Sequence, residues 1–166
     1  MRQFLNGVQW EMDETMQGIR LIRRFWGLAP SDRRLLVLAV WQLCWVGMLA
    51  RIFGFQSLVR QAQGIRPPND YTPSPVELER AYVYAHWLES AARRRLINAY
   101  CLQRSLALHR WLQREGMPSV LQIGVWKGGD VLHAHAWVEL GNHVVNDRPA
   151  AIASFVPLAQ NLPKQV

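Results

Sequence analysis

Residues 101–147, CLQRSLALHRWLQREGMPSVLQIGVWKGGDVLHAHAWVELGNHVVND, pass from helical to strand periodicity in one stretch, and that change of period sets the fold class. Leu102, Ser105, Leu106, Leu108, His109 and Leu112 recur at the three-and-four spacing of one helical face, with the small Ser105 among apolar neighbours. Gly116 ends that helix. SVLQIGVW (119–126), VLHAHAWVEL (131–140) and HVVND (143–147) then read as strands, with turns at Gly128-Gly129 and Gly141-Asn142. The expected fold is α+β, with the helix on one face of a small antiparallel sheet so that both bury their apolar sides. The tail IASFVPLAQ (152–160) is expected to add a short closing element.

The same stretch holds Cys101, His135 and Asp147, in that order. A thiol nucleophile needs a base that takes its proton and a third group that fixes the tautomer of the base. Cys101 falls in the first turn of the predicted helix, where unpaired N–H groups and the helix dipole favour an anion. A free thiol, with a pKa of about 8.5, is only a few per cent thiolate at neutral pH, and a helix N-terminus with a neighbouring imidazolium lowers such values to roughly 3.5–7.5. The first-turn N–H groups also suit an oxyanion, with Asn98 or Gln103 as candidate side-chain donors.

Other uses of these residue types compete. A cysteine is often a small buried hydrophobe, and Cys44, inside LLVLAVWQLCWVGMLA (35–50), reads that way. His133 and His135 could share a strand face and begin a metal site, but two ligands without CxxC or HExxH do not make one, and no metal or other cofactor is expected. Strand geometry adds a test. A two-residue loop pairing Leu140 with His143 sets Asp147 opposite Ala136, whereas a three-residue loop or a bulge sets it opposite His135. A Cys101, His135, Asp147 triad therefore predicts an odd loop or a bulge.

The run CLQRSLALHRWLQREGMPSVLQIGV, followed by HAHAWVEL and VVND, closely resembles the leader peptidase of lasso-peptide biosynthesis, the B protein. The likeness is strong from about Arg93 to Asp147 and looser upstream, and WKGGDVLH (126–133) departs from the proline and aromatic common in such relatives. The resemblance implies a transglutaminase-like, papain-related catalytic domain with Cys101 as nucleophile, His135 as base and Asp147 as orienting acid. It also implies cleavage of a leader from a lasso precursor peptide, with an ATP-dependent lasso cyclase acting next. It further implies a small leader-recognition domain, fused N-terminally in some such relatives and encoded separately in others. A fused one would need alternating strands, and residues 1–66 show helical spacing, so a separate leader-recognition protein is expected. The alternatives are a transglutaminase-like acyltransferase using the same triad and a non-catalytic scaffold of the maturation complex.

The remaining sequence bounds this picture. At 166 residues, half of them apolar, the chain can bury a sizeable core, and two cysteines do not form a disulfide framework. With no secretory signal pattern in MRQFLNGVQWEMDETMQG (1–18), a cytoplasmic location is expected. Residues 1–100 hold 13 basic and 8 acidic residues of a chain whose net charge is +7. Arg20, Arg23 and Arg24 beside Met16, Ile19, Ile22 and Trp26 make an amphipathic pattern suited to a partner or to peripheral contact with the inner membrane face. No nucleic-acid module accompanies the charge, so no nucleic-acid partner is expected.

Ser31 and Asp32 start a helix whose apolar run, Leu35 to Ala50, stops at Gly54. Sixteen residues broken by Gln42 fall short of the about 20 needed to span a bilayer, so a buried core helix is predicted. FQSLVRQAQ (55–63) prolongs the helical layer, GIRPPNDYTPSP (64–75) breaks it, and a further helix runs from Pro75 to Arg93-Arg94-Arg95. The expected organisation is a helical N-terminal segment at 1–66, a Pro-rich linker at 67–74 and the catalytic domain at 75–166.

Overall fold

A computed structural model describes residues 25–64, 68, 71–93, 99–128 and 131–158. The amphipathic pattern before Trp26, Asn98, Gly129 and the Arg94-Arg95 pair lie outside the described residues. The chain divides into two compact units, residues 1–37 and 38–166, a division that falls inside the first helix. In the first unit the Arg33 side chain donates to the carbonyls of Leu28 and Trp26, both at 2.8 Å, and its guanidinium sits 5.1 Å from the Trp26 ring centre.

The described elements are helices α1 (Pro30–Phe53), α2 (Phe55–Gln63), α3 (Pro75–Arg93) and α4 (Cys101–Arg114), strands β1 (Ser119–Gly128), β2 (Val131–Leu140) and β3 (His143–Val144), helix α5 (Pro149–Ile152) and strand β4 (Val156–Pro157). The fold is α+β. Its sheet is antiparallel with order β3-β2-β1-β4, and the closing element expected of the tail is the edge strand β4, which pairs Val156 with Val125 and Pro157 with Gly124.

Capping signals explain where the helices begin and end. Ser74 and Glu77 form a reciprocal capping box at the start of α3: the Ser74 amide donates to the Glu77 carboxylate at 2.8 Å and the Glu77 amide to Ser74 Oγ at 3.3 Å. At the far end of α4 the backbone turns through Gly116 at φ +77°, and Met117 N–H reaches back to the Leu112 carbonyl at 2.9 Å. Both flanking side chains are buried, which completes a Schellman stop.

Helix α4 is buried on more than the one face that its periodicity predicts. Gln103, Ser105, Leu106, Ala107, Leu108, His109, Trp111 and Leu112 are all enclosed, because α2, α3, β1 and β2 each pack against it. Tyr84 of α3 stacks on Trp111 with ring centres 4.4 Å apart. The Gln103 amide donates to the Leu43 carbonyl of α1 at 3.0 Å, and its nitrogen lies close enough to Gly47 that a Cβ there would sit 2.9 Å away. This contact engages a group that the sequence offered as one of two candidate oxyanion donors.

Helix α1 departs from the expected core helix. Ala39, Leu43, Val46 and Ala50 are buried, but Trp41, Cys44, Met48 and Ile52, one turn apart along another face, are exposed. Cys44 is therefore a surface thiol, not the buried hydrophobe expected of it. An apolar run says that a helix avoids water and not which of its sides has a partner. At 24 residues α1 is also longer than its apolar run, because Arg33, Arg34 and Arg51 lie within it, and by length and composition it could cross a membrane. A core helix of a soluble protein passes the same test.

His109, 1% exposed, bonds Ser119 Oγ through Nδ1 at 3.0 Å, and burial, reinforced by the Arg110 charge, pushes its pKa down to about 4. The folded chain thus resists a proton that the unfolded chain accepts below about pH 6.5. Stability from this site is complete above that value and is lost as the pH falls toward about 4. Urea unfolding at pH 7.5 and 4.5 should show a loss roughly 2–3 kcal/mol larger for the native chain than for His109→Gln.

Candidate functional site

Cys101 is the first residue of α4. Its N-cap, Tyr100, is extended and supplies no side-chain cap, so the first-turn N–H groups are left to other acceptors. His135 lies on β2 opposite Gly124 of β1. A side chain on Gly124 would collide with the Trp137 ring at 2.8 Å and the Phe155 Cβ at 3.0 Å, so the glycine admits both aromatics. These same two rings flank the imidazole, with centres 6.4 Å (Trp137) and 5.5 Å (Phe155) from it. His133, two residues earlier, stacks instead on its cross-strand partner Trp126 at 5.1 Å.

Asp147 reaches His135 by a route that the sequence reading did not anticipate. The β2–β3 connection is the two-residue Gly141-Asn142 loop, with Leu140 opposite His143 and Glu139 opposite Val144. Neither an odd loop nor a bulge is present. Strand β3 is also shorter than HVVND, because the ladder ends after one further bond, from Val145 N–H to the Val138 carbonyl at 3.0 Å.

Beyond that point side chains replace backbone. Val138 N–H, which a continued ladder would pair with the Val145 carbonyl, donates to Asn146 Oδ1 at 2.8 Å. The Ala136 carbonyl, which would face Asp147 in the same register, accepts from Ser105 Oγ at 2.8 Å. Released from the ladder, Asp147 turns to His135, and its Oδ2 lies 2.5 Å from Nε2. Its other oxygen accepts from the Arg148 amide at 2.7 Å. Both side chains are about a quarter exposed.

Cys101, His135 and Asp147 line one small cleft of about 40 Å3, together with Arg104, Ser105 and Leu108 of α4, Ala136, Asn146, and Ala85, Leu88 and Glu89 of α3. Arg104 pairs with Glu89 across its wall at 2.6 Å. With Asp147 on Nε2, Nδ1 is the ring nitrogen available to a thiol. Sequence reasoning missed Ser105 and Asn146 as parts of this site. Their signals were a hydroxyl on an otherwise apolar helical face and an amide directly before the acid.

The family model described as Transglutaminase-like superfamily matches residues 43–160, well over half the chain, and the protein belongs to that superfamily. Its fold is of the cysteine-protease and acyltransferase type. The match begins within α1 and so takes in helices that the sequence reading set apart as an N-terminal segment. No curated protein and no solved structure matches the chain.

Gly124→Ala should be destabilising by about 1–3 kcal/mol, since the added methyl must displace a ring packed against strand backbone. Thermal unfolding checks the loss, and a change in near-ultraviolet circular dichroism should accompany it as Trp137 moves.

Proposed function

We propose that this protein is a cysteine peptidase that removes the leader from a ribosomally made lasso-peptide precursor, before an ATP-dependent cyclase forms the macrolactam. The observation that carries the reading is the His135–Asp147 hydrogen bond in a cleft shared with Cys101, at the uncapped first turn of a buried helix. Membership of the transglutaminase-like superfamily supports the thiol chemistry. The likeness of 93–147 to lasso leader peptidases supports the substrate.

In the reaction the Cys101 thiolate attacks the carbonyl at the leader–core junction, and first-turn N–H groups of α4 receive the oxyanion. The His135 imidazolium protonates the departing core amine from Nδ1, while Asp147 on Nε2 holds the ring and stabilises its charge. Water, deprotonated by the same imidazole, then hydrolyses the thioester and frees the leader carboxylate.

A partner completes the assignment. A separate recognition protein grips the leader, and the exposed apolar face of α1, where Trp41 stacks on Trp45 at 5.9 Å, is its docking surface. Trp26, 65% exposed in the first unit, is a further candidate anchor. The location proposed is the cytoplasm, with peripheral contact at the inner membrane face.

Cys101→Ala should abolish leader removal, Cys44→Ala should retain most of it, and Asp147→Asn should slow it about 100-fold or more because the amide can select the wrong tautomer. Mass spectrometry of precursor incubated with each variant and the recognition protein reads all three. Full cleavage by Cys101→Ala would refute the assignment, and amine incorporation without cleavage would point to acyl transfer instead.

Cleavage should also run faster with the recognition protein than without it, since tethering holds the scissile bond at about millimolar effective concentration for a short linker. Equal rates would mean that the chain binds the leader by itself.

A further inference from the structure

We infer that Ser105 and Asn146 form a positioning clamp that sets the distance between thiol and imidazole, an inference that rests on Cys101 and His135 being nucleophile and base. Ser105 lies one helical turn after Cys101, on the same face of α4. Its hydroxyl donates to the carbonyl of Ala136, the residue next to His135, at 2.8 Å. Asn146, the residue before Asp147, donates from Nδ2 to Ser105 Oγ at 2.9 Å and accepts at Oδ1 from Val138 N–H at 2.8 Å. Two bonds meet at the Ser105 hydroxyl and a third at the Asn146 amide oxygen, and together they tie the nucleophile's helix, the base's strand and the acid's loop.

The chemistry of each member is specified by its neighbours. Position 146 must accept from a backbone N–H and donate to a hydroxyl, which an amide does and a carboxylate or an alkyl group does not. Position 105 must accept and donate at one atom within a space that leaves it 1% exposed, which suits serine. Neither residue needs to touch substrate. Their contribution is geometric: a displacement of about 1 Å between reacting groups can lower a rate about 100-fold.

The test uses Ser105→Ala and Asn146→Ala in the full chain, with folding checked by circular dichroism. These changes leave Cys101, His135, Asp147, Glu89 and Arg104, the charged and titratable groups lining the cleft, in place. With precursor and recognition protein, kcat should fall about 10- to 100-fold while KM stays nearly unchanged, because positioning and not binding is lost. Ser105→Thr, which keeps the hydroxyl, should recover most of the loss.

A second readout needs no substrate. Iodoacetamide should label Cys101 of the native chain at pH 6.5 much faster than the exposed Cys44, and in both alanine variants that preference should fall about tenfold or more. If Asn146→Ala does not fold, Ser105→Ala and its threonine rescue decide the matter. Folded alanine variants with native kcat and native labelling preference would overturn the clamp. Precursor left uncut by the native chain, with the labelling pattern as expected, would overturn the peptidase assignment and leave the clamp standing.

Discussion

The early end of the β2–β3 ladder is the constraint on which the site depends. Had pairing continued in the Leu140–His143 register, Asp147 would lie opposite Ala136 with its backbone committed to the sheet. Instead the Asn146 amide and the Ser105 hydroxyl satisfy the strand edge, and the acid is released toward His135. A buried edge cannot leave its N–H and C=O groups unpaired, so breaking a ladder inside a fold requires substitutes of this kind. Each missing substitute would cost about 1–3 kcal/mol.

Around that break the fold is arranged to hold one helix still. Helix α4 is enclosed by two helices and two strands, anchored at its far end by the Gly116 stop and tied near its start by the Gln103–Leu43 bond. The first turn is the part left open, without a side-chain cap and facing the cleft. An enclosed helix with an accessible N-terminus is a rigid mount for a group whose reactivity depends on position and on a partner's charge.

Much of this was legible in the sequence where the signal is local. Cys101 at a helix start, Gly54 and Gly116 as stops, Pro75 as a start and the strand preceding Gly141-Asn142 follow from spacing, capping and turn chemistry, and the structure places them accordingly. The parts that escaped depend on partners far along the chain. Gln103 was one of two candidate oxyanion donors because nothing in its neighbourhood reveals Leu43, sixty residues away. Cys44 was read as core because an apolar helix does not declare its exposed side. The hairpin expectation placed the turn correctly at Gly141-Asn142 but required an odd loop or a bulge to bring Asp147 to His135. Neither is there, since side-chain substitution for backbone leaves no mark on strand periodicity.

The central claim, a thiol nucleophile at Cys101 served by His135 and Asp147, is tested most directly by trapping its intermediate. A precursor mixed with the native chain and the recognition protein should be quenched in acid within the first turnover, and the protein digested and weighed. The account predicts the leader acyl group on the peptide that contains Cys101, in a linkage that hydroxylamine removes. Leader release by the native chain with no such adduct at any quench time would contradict it.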